Sequence, residues 1–379
     1  MTDKKISLTL PDKAHHHSYD IIVGCDVLSK IEHFIDSKHI KGKYLPLVID
    51  AGFAKHHGDE VIAILTKKFP EKKIIPLTIE AGEASKSLSH YSDLMEKILS
   101  LGLERDSWLL AAGGGVVGDL AGFCAATLLR GICFIQIPTS LLAMVDSSVG
   151  GKTGINAKVG KNLIGAFHQP SLVLADMNFL KTLPRADISA GIAEIIKYGA
   201  IMNEEFFSYL ETNMTKLMAG DTTALSYAIE MSIKMKADVV MQDEKENSYR
   251  MVLNFGHTFA HAIEAEYQYK SIADGGILHG QAVGLGMLLA ADFSEYLGRA
   301  KNIKQRLKHL LQQAKLPTDF GELPKASWSI DKLIAHMQHD KKISDQQLVF
   351  ILLNHIGKVM IDKTISLSEV KSFLAKYYI

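Results

Sequence analysis

A short apolar run that ends in three glycines limits what this chain can fold into more than any other feature. Trp108-Leu109-Leu110-Ala111-Ala112 is long enough for one buried strand, and it stops at Gly113-Gly114-Gly115-Val116-Val117-Gly118-Asp119. The chain then enters the small-residue pattern Leu120-Ala121-Gly122-Phe123-Cys124-Ala125-Ala126, the start of a helix. A strand, a glycine turn and a helix N-terminus in that order make an anion site. Glycines let the backbone approach a pyrophosphate, and the free N–H groups of the first helical turn point at it. Gly113, Gly115 and Gly118 satisfy G-x-G-x-x-G, although a triple glycine also suits a plain tight turn.

After Arg130 a second buried strand is predicted over Cys133-Phe134-Ile135-Gln136-Ile137-Pro138, followed by Thr139-Ser140-Leu141-Leu142-Ala143. Next comes Val145-Asp146-Ser147-Ser148-Val149-Gly150-Gly151-Lys152-Thr153-Gly154-Ile155-Asn156, with Lys161-Asn162 close behind. This block reads as loop: glycines for unusual backbone angles, hydroxyls and amides as donors, lysines without nearby acids. Two lysines and an asparagine beside a nucleotide turn point to a second, separate anionic ligand.

A length of 379 residues suggests two domains, and the 42 basic and 42 acidic residues balance, so no overall field draws the chain to nucleic acid or membrane. No apolar run approaches bilayer length, and no signal peptide is expected at the start of the chain. Cys25, Cys124 and Cys133 lack metal or redox spacing and are expected as reduced core thiols of a cytoplasmic protein. His15-His16-His17 is expected to form a solvated turn.

Strands are predicted over residues 6–10, 19–24, 45–50 and 73–77, helices over 27–34 and 61–68, and a polar loop over 82–87. Asp50, at the carboxyl end of its strand, is placed to accept from a ribose hydroxyl. Strand–helix alternation up to about residue 180 indicates an α/β domain with a parallel sheet. Beyond Leu183-Pro184-Arg185 the periodicity turns helical, over 204–217, 222–242, 256–267, 280–297 and 301–315, with one strand-like run at 348–353. The expected organisation is a Rossmann-like nucleotide-binding domain over 1–184 and a mainly helical metal- and substrate-binding domain over 185–379.

Glu194 and Lys197 share one face of a helix, opposite Ile188, Ile192, Ile195 and Ile196, and a surface ion pair would explain them. His257 and His261 stand at i and i+4, which by spacing alone suits two zinc ligands. His279 is a third candidate, opening a helix whose small residues imply close helix packing.

The blocks GGGVVGDLAGF, LLRG, IPTSLLAMVDSSVGGKTGIN and GKNLIGAFHQP resemble the signature motifs of the 3-dehydroquinate synthases, and the similarity runs from about Tyr19 to the end of the chain. That resemblance implies a variant Rossmann domain, which explains why Asp50 precedes the glycine turn. It implies NAD contacts from Asp50, Glu83, Lys86, Gly114, Gly115, Val116, Asp119, Thr139, Ser140, Leu142, Asp146, Lys152, Lys161, Phe179 and Thr182. It also reassigns the metal, Zn2+ or Co2+, to Glu194, His257 and His279, and moves His261 to the substrate pocket. Further substrate and catalytic contacts carry over as Arg130, Lys152, Lys161, Asn162, Lys197, Lys236, Glu246, Arg250, Asn254 and a lysine of the Lys341-Lys342 pair.

The implied reaction oxidises 3-deoxy-D-arabino-heptulosonate 7-phosphate at C5 with NAD, eliminates phosphate, returns the hydride, opens the ring and closes a carbocycle by an aldol step. Lys152, Asn162 and Arg130 would hold the phosphate, His261 would shuttle a proton, and Arg130 would serve the neighbouring subunit of a homodimer. Lys236 and Arg250 are expected to be unpaired until a substrate carboxylate arrives. A paralogous sugar-phosphate cyclase and a metal-dependent polyol dehydrogenase are the alternatives. Met144, Ser140, Ala260 and Gln281 depart from the usual pattern, and the connection 266–276 before His279 is longer than usual.

Overall fold

The computed structural model describes residues 3–9, 18–270, 272–326, 328–344 and 348–377, without the side chains of Ser37, Ala273 and residues 339–344. The His15-His16-His17 run and Leu10 lie outside the described residues, and so do the side chains of Lys341 and Lys342. The chain divides into two compact units, Met1–Pro184 with Leu225–Lys245, and Arg185–Ala224 with Glu246–Ile379.

The first unit is built on β1 (Lys4–Thr9), β2 (Ser18–Gly24), β3 (Tyr44–Asp50), β4 (Lys73–Ile79), β5 (Trp108–Gly113), β6 (Cys133–Pro138), β7 (Lys152–Ala157), β8 (Gly160–Phe167) and β9 (Leu172–Asp176). Seven of these form one sheet in the order β1-β2-β9-β6-β5-β3-β4. β1 runs antiparallel to β2, and every other neighbouring pair is parallel. Parallel strands covered on both faces must be apolar on both, and the side chains divide accordingly. Leu45, Leu47, Ile49, Leu110, Ala112, Ile135 and Ile137 join one buried cluster. Val48, Leu109, Ala111 and Phe134 join the other.

From β3 the chain steps out to β4 and then returns to β5 on the opposite side of β3. The chain therefore leaves the carboxyl ends of β3 and β5 in opposite directions, which is where open α/β sheets leave room for a ligand. Asp50 ends one of these strands and Gly113 the other.

Four local expectations change. The helix predicted over 27–34 is a pair of 3-10 turns, Leu28–His33, broken at Lys30 (φ −112°, ψ 15°). The Asp176 carboxylate accepts from the backbone N–H groups of Asp26 (3.1 Å) and Leu28 (3.2 Å), which fixes a turn where a helix would begin. The helix expected over 61–68 spans Ala51–Lys68, because Asp50 caps it by accepting from Phe53 N–H at 2.8 Å. Part of the stretch read as loop is the antiparallel β7–β8 hairpin, whose glycines and asparagines obscure the inward side chains of Thr153 and Ile155. Only Cys124 is a core thiol; Cys25 is half-buried and Cys133 exposed.

The second unit holds the helices Arg185–Met202, Glu204–Ala219, His257–Glu266, His279–Tyr296, Ile303–Gln313, Ile330–Ser344 and Leu367–Leu374. A hairpin of β10 (Phe350–His355) and β11 (Lys358–Asp362) accompanies them. The helix Thr222–Gln242 starts in this unit, but from Leu225 onward it belongs to the first. No described helix is long and apolar enough to cross a membrane.

Candidate functional site

In the first unit the helix Gly115–Thr127 starts directly after β5, with Gly114 as its N-cap and no side-chain capping bond. Its first N–H groups are thus left for an anion. The glycines serve close approach here, since Gly114 has ordinary angles (φ −74°, ψ −170°). A Cβ at Gly113 would come within 2.6 Å of Val117, one at Gly115 within 3.1 Å of Ser147 Oγ, and one at Gly118 within 2.5 Å of Gln136 Nε2. The turn is squeezed from three sides, and only glycine keeps its backbone bare.

Lys86 ties the polar loops around that turn together. Its ammonium, with the residue only 4% exposed, donates to Asp119 Oδ2 (2.7 Å) and Asn162 Oδ1 (2.5 Å) and lies 3.5 Å from Glu83 Oε1. Burial opposes its charge, but the Asp119 and Glu83 carboxylates outweigh burial and raise its pKa above the ordinary lysine value. Asn156 completes the brace, donating to Glu83 Oε1 (2.8 Å) and accepting from Asn162 N–H (2.9 Å). Asn162 takes a left-handed conformation (φ 56°), which asparagine tolerates better than most residues.

The second unit brings three ligand-type side chains together by close helix crossings. A Cβ at Gly280 would lie 2.3 Å from Ala190 O, so the helix His279–Tyr296 starts in backbone contact with Arg185–Met202, one turn before Glu194. A Cβ at Gly286 would lie 2.3 Å from Gly256 O, which brings the start of the helix His257–Glu266 to the same helix. The crossings place one ligand atom each from Glu194, His257 and His279 within 4.8 Å of one another.

Glu194 is 1% exposed, and its Oε1 lies 3.6 Å from His257 Nε2 and 3.8 Å from His279 Nε2. Its Oε2 is paired with the buried Lys197 ammonium. His257 Nδ1 faces the Phe255 carbonyl (3.2 Å) and His279 Nδ1 faces the Glu264 carboxylate (3.2 Å). Both acceptors require a protonated Nδ1, so both Nε2 lone pairs are available toward Glu194. Burial, reinforced by the Lys197 ammonium, holds His257 well below the ordinary imidazole range, in the neutral form a metal needs. One buried carboxylate and two imidazoles fit a divalent cation with open positions.

Family models for the 3-dehydroquinate synthase N-terminal and C-terminal regions match residues 76–190 and 191–343. The 3-dehydroquinate synthase of Caulobacter vibrioides is 43% identical over 369 residues, covering 97% of this chain and 98% of that one. That of Bartonella quintana is 42% identical over 371 residues, covering 97% of each. The chain belongs to the 3-dehydroquinate synthase family. Among solved structures, 2-deoxy-scyllo-inosose synthase complexed with carbaglucose-6-phosphate, NAD+ and Co2+ matches with a TM-score of 0.86 at 25% identity, over 99% of this chain and 100% of that one.

Set against the family's pattern, several residues stand differently from expectation. Glu194 and Lys197 are not a surface pair, because the helix Arg185–Met202 is buried almost all round. Lys236 is not unpaired: it donates to the Asp146 carbonyl (2.7 Å) and carboxylate (2.5 Å). Arg250, 2% exposed, also has interactions inside the protein. Asn254 donates to Glu246 Oε1 at 3.1 Å, and His261 stands beside His257 (ring centroids 5.7 Å apart) but outside the three-residue group.

Arg130 is exposed, on a turn where Leu129 (φ 51°), Arg130 (φ 72°) and Gly131 (φ 114°) are all left-handed. Thr182 Oγ1 meets His57 Nε2 at 2.9 Å, and the His57 ring packs on Phe53 and Phe179. Gln281, one of the departures, accepts from Leu278 N–H (2.9 Å) and steadies the entry to His279. Sequence reasoning missed Asn156, Ser147, Gln136 and Glu264, whose roles lie in contacts between segments distant in the chain.

Proposed function

We propose that this chain is a 3-dehydroquinate synthase, converting 3-deoxy-D-arabino-heptulosonate 7-phosphate into 3-dehydroquinate and phosphate. The observation that carries it is the Glu194–His257–His279 group beside buried Lys197, in a chain that matches the family along nearly its whole length. The related cyclase structure holds NAD+, Co2+ and a sugar-phosphate analogue, and the same classes of cofactor and substrate suit the residues here. When bound, NAD would supply a hydride acceptor that is restored within each turnover, and a zinc or cobalt ion would supply a Lewis acid at the oxygen of the carbon being oxidised and reduced.

Glu194, His257 and His279 would hold the metal. Gly114, Gly115 and Val116 offer the pyrophosphate the free N–H groups of the helix start, and Asp50 offers a ribose hydroxyl its second oxygen. Glu83, Lys86, Asp119, Thr139, Ser140, Leu142, Asp146, Phe179 and Thr182 shape the rest of the NAD site, with Lys86 bracing its loops. Lys152, Asn162 and Arg130 bind the substrate phosphate, with Lys161 beside them. Lys197, Lys236, Arg250, Asn254 and a lysine of the 341–342 pair meet its hydroxyls and carboxylate, while Glu246 orients Asn254. His261 exchanges a proton with a substrate oxygen. Arg130, exposed on its turn, is assigned to the site of the neighbouring subunit in a dimer, as the family resemblance implies. The enzyme is placed in the cytoplasm.

The deciding experiment supplies the heptulosonate phosphate with NAD and follows phosphate and reduced nicotinamide together. Phosphate should be released with no net NADH. Stoichiometric NADH would instead identify a dehydrogenase, and equal turnover of glucose 6-phosphate a different cyclase.

A further inference from the structure

We infer that Glu264 is the positioning residue for the third metal ligand: its carboxylate fixes the tautomer and place of the His279 ring across the connection between two helices. The inference rests on reading Glu194, His257 and His279 as a metal site. Glu264 lies seven residues after His257, two turns along the same face of the helix His257–Glu266. Its side chain is 8% exposed, and its Oε2 lies 3.2 Å from His279 Nδ1. A carboxylate can only accept there, so it holds the proton on Nδ1 and leaves Nε2 toward Glu194, 3.8 Å away. It also makes the imidazole a stronger donor, as outer carboxylates do for metal-bound histidines.

The neighbouring acid does not share this work. Glu266 faces other partners, Lys332 (2.9 Å) and His336 (3.2 Å). Between the two helices the chain has a long connection, anchored early by the Tyr267 hydroxyl on Pro324 O (2.5 Å) and late by Gln281 on Leu278 N–H (2.9 Å). His279 is 35% exposed in its side chain, so packing alone does not fix its ring. The Glu264 bond does so directly, and it bypasses the connection.

The test is zinc affinity of the metal-free protein, by competition with a chromophoric chelator, with the thermal transition of each apo-protein recorded alongside. Wild type is measured first; if it binds no zinc specifically, the metal-site reading fails and this inference falls with it. If wild type binds, Glu264→Met should weaken zinc about 10- to 100-fold, the range for loss of such a partner. Glu264→Gln, which keeps an acceptor but not the charge, should lie between. In a His279→Ala background, Glu264→Met should weaken zinc no further, since its effect passes through that ring. Wild-type affinity in Glu264→Met, or an equal additional loss in the double variant, overturns the inference. Should Glu264→Met fail to fold, Glu264→Gln decides. Unchanged affinity then overturns the inference, and a loss that vanishes in the His279→Ala background supports it.

Discussion

Lys86 shows how much a single side chain does in this protein. Its ammonium neutralises Asp119 and draws in Glu83 and Asn162, so removing it strands a carboxylate inside the loop cluster. Lys86→Met should destabilise the protein by about 3–5 kcal/mol, the usual cost of breaking a buried pair, measured by urea unfolding. Because the folded pKa is raised, its stabilisation is complete below the ordinary lysine value of about 10.4 and is lost as pH rises through the raised one. The gap between wild type and variant should therefore be full at pH 9 and shrink above about pH 10.5. Around the metal group, Glu194→Gln, His257→Ala and His279→Ala should each bind zinc measurably but far more weakly than wild type, so that elemental analysis after dialysis finds them depleted of zinc. His261→Ala should keep zinc and lose turnover. Zinc lost in His261→Ala but kept in His279→Ala would reverse the assignment.

Two glycines four residues apart in one helix separate packing from propensity. A methyl group at Gly280 would drive into the Ala190 backbone, at 2.3 to 2.6 Å, whereas one at Gly284 would meet Leu311 and Leu316 at ordinary contact, 3.5 Å. Gly280→Ala should cost about 1–3 kcal/mol or more and lower zinc occupancy without touching a ligand. Gly284→Ala should be neutral or stabilising by up to about 1 kcal/mol. Equal thermal shifts and equal zinc content in the two variants would show that the crossing does not place His279. The same helix shows what could be read from sequence. Its run of small residues announced a close approach, and the apolar runs at 45–49 and 108–112 announced buried parallel strands. The partners were not legible: that Gly280 meets Ala190, that Glu264 reaches His279, or that Asn156 links Glu83 to Asn162. Periodicity reports which face is buried, not which distant segment covers it. The β7–β8 hairpin was missed because its glycines, lysines and asparagines dilute the alternation that marks a strand.

For the assembled protein, the proposed role of Arg130 in a dimer can be tested directly. If Arg130 completes a neighbour's site, mixing the inactive Arg130→Ala and Lys152→Ala proteins should restore part of the activity, up to about one site in four if subunits exchange freely and wild-type sites alone regain function. A fully active monomer by light scattering during turnover would end this account. The division of the chain has a separate consequence. The first unit takes Leu225–Lys245 from beyond its own sheet, and with it Lys236, which holds Asp146, and Glu230, which pairs with Lys4 at 3.4 Å. A nascent chain released only as far as Pro184 has every strand of the nucleotide sheet and still lacks the segment that belongs beside it. On the ribosome the first unit is thus completed only after the residues that open the second have emerged, so the two cannot mature strictly one after the other from the N-terminus.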